Sequence, residues 1–448
     1  MGMTGMEVYK VLPKTNCKEC GFPTCLAFAM QVAAKQRALT DCPRLSDDAR
    51  EALSDASAPP MKLVRIGPAG EGQFEFGQET VMFRHEEKFH HPPAIAVRIP
   101  AAATDAEAAE KMDRINQAVF TRVGEQIAVA LAVVEIEGLS PEAAADRATA
   151  LADGGRAGIV LMGSDPAVQA AAARALADRK PLLYGATEAT AEAMIALASE
   201  TKCPLAVSAS SLERLADLTQ QAKQGGVEEL VLAFDGHRTA RVIREITTAR
   251  RAALKKNFRA LGYPALVDVT GDDVGREAVL AATFVAKYAG IVVINGIDGA
   301  ELIPILTAIQ NIYTDPQVPN TVEAKLYEVG DVDEQAPVLF TTNFALTYFS
   351  VEGEVERSKV PCYIGVVDTE GLGVLNAYAG DKISAEKVVR TLDALGVAEK
   401  VKHRKLIIPG LLPSFRAEIE DTSVWKEVLI GPESATGIPR FLAETWSA

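Results

Sequence analysis

The sequence predicts an α/β multidomain protein: a small cysteine-bearing N-terminal domain, a central (β/α)8 TIM barrel and a C-terminal Rossmann-like domain. Three observations predict it. The 448-residue length exceeds what a single core usually serves. From residue 94 onward, short β-rich apolar runs alternate with Ala-rich stretches of helical period. Proline-rich and charged segments break that pattern into domains at 1–57, 94–320 and 338–448, joined by 58–93, with short strands of its own, and by a linker at 321–337.

Four of the six cysteines fall within the first 42 residues. The first domain closes on a small, polar stretch whose Pro59-Pro60 pair cannot continue a helix. Short strands are expected at 62–66, 74–76 and 80–83. The repeat then supplies strands at 95–99, 129–136, 158–162, 181–184, 205–208, 229–233, 265–269 and 291–294, with helices such as 107–119, 141–152, 167–177 and 189–198. Eight alternations in about 220 residues suit a closed barrel, although periodicity alone leaves a doubly wound open sheet as competitor. The last domain reads as strands 338–342, 363–368, 405–408 and 427–430 with helices 345–352, 373–379, 385–395 and 438–444. Four strands are too few for a barrel, so an open sheet is expected.

Composition narrows the function classes. Hydrophobic residues at 48% and charged residues at 24% describe a globular chain. A formal net charge of −14 argues against nucleic acid as partner, which needs concentrated positive surface. The one basic stretch, Arg250, Arg251, Lys255, Lys256 and Arg259, has helical spacing and reads as a solvated outer face. No apolar run reaches the roughly 18 residues of a membrane span, and residues 1–10 carry no export-type apolar segment. A soluble, cytoplasmic protein is expected. Cys203 and Cys362 stand alone in apolar surroundings and read as buried small hydrophobes.

The N-terminal spacing is Cys17-x2-Cys20-x4-Cys25-x16-Cys42, with Pro43 after the last thiol. Four thiolates can hold a 4Fe-4S cluster, a 2Fe-2S cluster or zinc. Zinc ribbons usually pair two close Cys-x2-Cys units, whereas three ligands on one loop with a distant fourth suit a cubane better. Gly21 permits a tight bend, and Pro13 and Pro23 stiffen the turns. Cys25 opens an apolar helical run, 26–34. Because Cys42 must return, that helix is expected to break between about 32 and 37.

The run Leu12-Pro13-Lys14-Thr15-Asn16-Cys17-Lys18-Glu19-Cys20-Gly21-Phe22-Pro23-Thr24-Cys25-Leu26-Ala27-Phe28-Ala29 closely resembles the cluster domain of the corrinoid iron–sulfur protein large subunit, the gamma subunit of the acetyl-CoA decarbonylase/synthase complex. The family's order of parts is similar along nearly the whole chain. The resemblance implies a methyl carrier of the reductive acetyl-CoA (Wood–Ljungdahl) pathway. It implies that Cys17, Cys20, Cys25 and Cys42 hold a 4Fe-4S cluster. It implies a base-off corrinoid whose Co(I) takes a methyl group from methyltetrahydrofolate through a methyltransferase and yields it to acetyl-CoA synthase. The cluster would serve reactivation of Co(II). A smaller barrel subunit is the implied heterodimer partner, alongside a reductive activator.

On that reading the corrin sits at the carboxyl ends of the C-terminal strands, where ligands of open α/β sheets bind. The expected contacts are Thr341, Thr342, Asn343 and Leu346 after the first strand, Gly371, Leu372, Gly373 and Val374 after the second, and Gly431, Pro432 and Ala435 after the last. Gly371 and Gly373 are expected to permit close approach of the macrocycle. The domain's one histidine, His403, lacks an Asp-x-His-x-x-Gly context, and Asp235-Gly236-His237 reads as a barrel loop. In the barrel, Glu135, Asp165, Asp235, Asp268 and Asp298 form no recognisable catalytic set. Two other readings compete. One is a barrel-based pterin methyltransferase fused to an iron–sulfur redox domain. The other is an iron–sulfur electron-transfer or regulatory module whose C-terminal domain binds a nucleotide or a partner.

Overall fold

A computed structural model describes residues 5–33, 41–45, 59–70, 72–153 and 155–446. Two antiparallel strands, β1 (Leu63–Ile66) and β2 (Phe74–Gly77), precede the barrel. Eight parallel strands then close on themselves: β3 (Ala94–Ile99), β6 (Leu131–Glu135), β7 (Gly158–Met162), β8 (Leu182–Ala186), β9 (Leu205–Val207), β10 (Leu230–Asp235), β11 (Ala265–Asp268) and β12 (Ala289–Ile294). β12 returns to β3 with Ile291 opposite Ala94. That closure excludes the open sheet. An additional hairpin, β4 (Val119–Arg122) with β5 (Glu125–Ala128), interrupts the first βα repeat and was not expected from the sequence.

Strand alternation separates two apolar layers. Ala96, Leu131, Val133, Val160, Leu182, Ala206, Val231, Leu266 and Val293 fill the barrel together with Val64, Ile66 and Phe76 from the β1–β2 hairpin. That hairpin therefore plugs the amino-terminal mouth. The opposite registers face the helices.

Residues 80–83, expected as a strand, are irregular and bend into a turn at 84–86 instead. Glu86 takes the backbone N–H groups of Met82 (3.2 Å) and Phe83 (3.3 Å), which leaves them no ladder to join. The same segment corrects the reading of Arg250. Far from being solvated, Arg250 is buried between the rings of Tyr288 (4.4 Å) and Phe89 (4.9 Å). It donates to the Val81 carbonyl and faces the buried Glu79 carboxylate at 3.9 Å. Replacing it with alanine leaves that carboxylate buried without its cation. We expect Arg250→Ala to cost about 3–5 kcal/mol, seen as a lower denaturation midpoint with unchanged slope.

The C-terminal sheet runs β13-β15-β14-β16-β17. β14 (Val338–Thr342), β15 (Cys362–Val367), β16 (Lys405–Ile408) and β17 (Glu427–Ile430) are parallel and lie where expected. β13 (Leu326–Val329) adds an antiparallel edge inside the segment expected as linker. Helices 345–358 and 438–444 cover one face and helices 374–379, 385–394 and 415–422 the other. The sheet is thus doubly wound. Cys203 and Cys362 are buried as expected, and burial pushes the Cys362 thiol up to about 12.

Candidate cofactor sites

In the N-terminal unit, helices Gly5–Val11 and Cys25–Ala33 bracket the loop that carries the cysteines. The second helix is described only to Ala33, and the rest of its expected break lies outside the described residues. Thr24 caps it, its hydroxyl accepting from the Ala27 N–H at 3.1 Å. Lys14, Asn16, Lys18 and Gly21 all have positive φ, so the loop coils tightly around Cys17 and Cys20. Asn16 folds back onto Cys25. Its side-chain oxygen accepts from the Cys25 N–H (2.8 Å), and its own N–H points at the Cys25 sulfur (3.4 Å).

An exposed ion pair that the sequence reading missed joins the loop to the segment of the distant fourth thiol. Arg44, two residues beyond Cys42, grips both carboxylate oxygens of Glu19, the neighbour of Cys20, at 3.0 Å. Cys25 and Cys42 lie in the small core with Phe28 and Leu45, while Cys17 and Cys20 remain half-exposed. Burial raises the Cys42 thiol, and the sulfurs of Cys20, Cys25 and Cys17 add to that rise. All four are free thiols on one microdomain. Among the described residues, however, no three donors stand close enough together to hold a metal ion directly.

The second site lies on the C-terminal sheet. The chain passes from β14 to β15 on one side, then crosses to β16 on the other, so the order reverses between β14 and β16. Such a reversal opens a crevice at the carboxyl edge. Loops after all four parallel strands meet there. The loop after β16, Pro409 to Leu412, belongs to this edge and was not anticipated. Gly410 has no room for a Cβ, which would stand 2.6 Å from Pro432 and 2.7 Å from Glu433 of the loop after β17.

The expected contacts divide by environment. Thr341 and Thr342 are buried on opposite faces of β14, and neither hydroxyl finds a partner among the described residues. Asn343 is engaged. Its side-chain oxygen accepts from Thr369 N (2.9 Å), Thr369 Oγ1 (3.0 Å) and Gly371 N (3.0 Å), and its amide donates to Asp368 (2.9 Å). It therefore fixes the loop after β15 and has little capacity left for a ligand.

Gly371 has a neighbour on its Cβ side: Pro319 and Thr321, of the segment before β13, stand 2.7 and 2.8 Å from a would-be Cβ. Gly373 would accept a Cβ at ordinary distance from Thr347 (3.4 Å) and Phe344 (3.5 Å). Val374 belongs to the core and Leu372 packs against it. Gly431, Pro432 and Ala435 are half-exposed at the rim. Leu346 is open, 47% exposed, and the sequence reading missed two similar neighbours, Leu375 (55%) and Tyr378 (46%). Tyr378 packs edge-on against Phe415, at the start of the helix after β16. Large exposed apolar side chains at successive helix starts were the available signal.

The barrel's acids are spent locally. Glu135 pairs with Arg98 (2.5 Å), and Asp298 pairs with Arg114 (2.7 Å). Asp165, Asp235 and Asp268 accept backbone N–H groups two residues on. Glu277 and Glu301 were overlooked. Each is 2% exposed. Glu277 accepts from the N–H groups of Gly271, Asn295 and Gly296 at 2.9–3.0 Å. Glu301 has no donor among the described residues and abuts Glu277. Burial, then the Glu277 contact, raises Glu301 to about 8. A carboxyl raised in the folded state contributes stability that is full below its ordinary value near 4.5 and is lost as pH rises towards about 8. Glu301→Gln should remove that slope and stabilise the protein by about 1–3 kcal/mol above pH 8, as denaturation midpoints across pH will read.

Among the described residues no helix is long and apolar enough to cross a membrane. Comparison with known proteins gives the following. A family model described as "CO dehydrogenase/acetyl-CoA synthase delta subunit" matches residues 63–442, and one described as "Putative Fe-S cluster" matches residues 12–44. The chain is 44% identical over 441 residues to the "Corrinoid/iron-sulfur protein large subunit" of Moorella thermoacetica, 98% of either chain. It is 37% identical to the "Acetyl-CoA decarbonylase/synthase complex subunit gamma" of Methanothermobacter thermautotrophicus, over 99% of both. The Methanopyrus kandleri gamma subunit is 35% identical over 98% of this chain and 97% of its own. A solved Yersinia pestis dihydropteroate synthase matches 49% of this chain and 92% of its own at 13% identity and a TM-score of 0.38, too low to bear on function.

Proposed function

Because the chain belongs to the family of corrinoid/iron–sulfur protein large subunits and acetyl-CoA decarbonylase/synthase gamma subunits, we propose that it is a methyl carrier of the reductive acetyl-CoA pathway. It accepts a methyl group from methyltetrahydrofolate through a separate methyltransferase and delivers it to acetyl-CoA synthase. The observation that carries the proposal is one chain holding both a four-thiol loop and a doubly wound sheet with a switch-point crevice.

Cys17, Cys20, Cys25 and Cys42 are the proposed ligands of a 4Fe-4S cluster, and an all-thiol donor set suits one. The Asn16 N–H directed at the Cys25 sulfur would tune it, as hydrogen bonds to sulfur do. When bound, the cluster supplies one-electron reduction and the corrinoid supplies a cobalt nucleophile for methyl transfer.

The chain's own part is to seat the corrin. The unpartnered hydroxyls of Thr341 and Thr342 suit its side-chain amides. Leu346, Leu375 and Tyr378 offer exposed apolar faces to a flat ring, with Gly373, Gly431, Pro432 and Ala435 as neighbouring rim contacts. His403 is unsuited to be a lower donor. Its Nε2 meets the Ala336 carbonyl at 2.9 Å and its Nδ1 accepts from Lys405 N at 3.2 Å. That supports a base-off corrinoid, because leaving out an axial donor eases reduction. A smaller barrel subunit, the methyltransferase, acetyl-CoA synthase and a reductive activator complete the proposed partners.

The test is metal analysis with visible spectroscopy on protein made without oxygen, with its smaller subunit and a corrinoid supply. About four irons and one cobalt per heterodimer support the proposal. Iron without cobalt would leave an electron-transfer protein in its place.

A further inference from the structure

The half-exposed side of the cysteine loop differs in charge from the rest of the molecule. Residues 1–45 carry six lysines and arginines against three acids, in a chain of formal net charge −14. Lys14 and Lys18 bracket Cys17, and Lys10 ends the helix that leads into the loop. All three are exposed, and among the described residues none has an acidic partner. Arg44, by contrast, is neutralised by Glu19. Lys14 and Lys18 take positive φ, so the coiled loop itself sets where they stand beside Cys17. Lys14 also lies over the Tyr9 ring at 5.6 Å.

Burial gives this arrangement a direction. Cys25 and Cys42 are enclosed by the small core, whereas Cys17 and Cys20 are half-exposed. A redox group held by these thiols would therefore be nearest to solvent on the side that Lys14 and Lys18 border. A basic rim on a strongly acidic molecule draws an acidic partner to that rim and repels it elsewhere, through the steering that raises association rates between complementary surfaces.

We propose that Lys10, Lys14 and Lys18 form the docking surface for an acidic electron-donor protein, which reduces the cluster across the Cys17–Cys20 edge. One electron leaves the donor's reduced centre and enters the oxidised cluster, with no bond made or broken. This rests on the cluster assignment proposed above.

The experiment uses the full heterodimer, loaded with iron, and a small acidic iron–sulfur ferredoxin as probe. Binding is measured with both partners oxidised, and cluster reduction by pre-reduced ferredoxin is followed separately. At about 0.02 M salt, Lys14→Glu with Lys18→Glu should weaken binding about tenfold and slow reduction as much. The difference from the unaltered protein should shrink at about 0.3 M salt, where the charges are screened. Lys14→Gln with Lys18→Gln should give a smaller change of the same sign. Reduction by a cationic viologen radical should not slow. Equal binding by variant and unaltered protein, with full iron in both, would overturn the docking surface alone. Lysines that merely balance cluster charge would give that result, together with a shifted potential. An unaltered protein that holds no iron would overturn the cluster assignment and the docking surface with it.

Discussion

Cys42→Ser should cost the protein at least about half of its iron and bleach its visible absorption, while Cys203→Ser leaves both unchanged. A 4Fe-4S cluster is held by four thiolates, and a serine hydroxyl is a far weaker ligand at neutral pH. Cys42 is the sharpest position because sixteen residues separate it from the nearest cysteine in sequence. Among the described residues it is tied to the others through Arg44 and Glu19 and through the core it shares with Cys25. Arg44→Ala should accordingly weaken iron retention on dilution without removing it at assembly. The salt bridge is exposed and of small energy on its own, so its effect is to keep the fourth thiol near. Iron analysis before and after gel filtration without oxygen reads both results.

The second large effect is expected from Asn343→Ala. Two backbone donors of the loop after β15, Thr369 N and Gly371 N, depend on the Asn343 side-chain oxygen, whereas the Thr369 hydroxyl also reaches the Leu372 carbonyl at 2.7 Å. Removing their acceptor leaves two buried backbone N–H groups unsatisfied, at a cost of about 2–4 kcal/mol. The loop should relax away from Asp368, and cobalt content should fall severalfold while iron stays constant. Asn343→Asp keeps the acceptor but sets a carboxylate against Asp368, so it should lose cobalt as well. A side chain that only stabilised the domain would lower the denaturation midpoint without changing the cobalt-to-iron ratio in the folded fraction. The ratio is the discriminating readout.

Periodicity made much of the fold legible. The barrel strands carry runs such as Ile291–Ile294 buried on both sides, and a parallel strand buried on both faces is a continuous apolar word that sequence displays directly. β13 was hidden because Tyr327 and Glu328 give it no such run and it sits at an exposed edge among prolines and charges. The hairpin β4–β5 was hidden for a similar reason, since its residues are half-buried or exposed.

The sites were legible only where chemistry clusters in sequence. Four cysteines within 42 residues announce themselves. Arg250 does not, because its carbonyl partner Val81 lies 169 residues away, and helical spacing alone made it look solvated. Glu277 and Glu301 occupy the first turns of two successive helices, where acids are expected for their dipole. Nothing local marks them as a contacting buried pair. The same holds for Gly371, whose role depends on Pro319 folding back over it. The sequence showed a glycine after a strand, but not the neighbour that stands against it.

Single-turnover methyl transfer tests the central claim most directly. The corrinoid-loaded heterodimer, reduced without oxygen, is mixed with isotopically labelled methyltetrahydrofolate and its methyltransferase, then separated from both and exposed to acetyl-CoA synthase. The account predicts about one label retained per cobalt and its passage to the synthase, with neither step in protein lacking corrinoid. A fully loaded, reduced protein that retains no label, or that holds it and cannot pass it on, would contradict it.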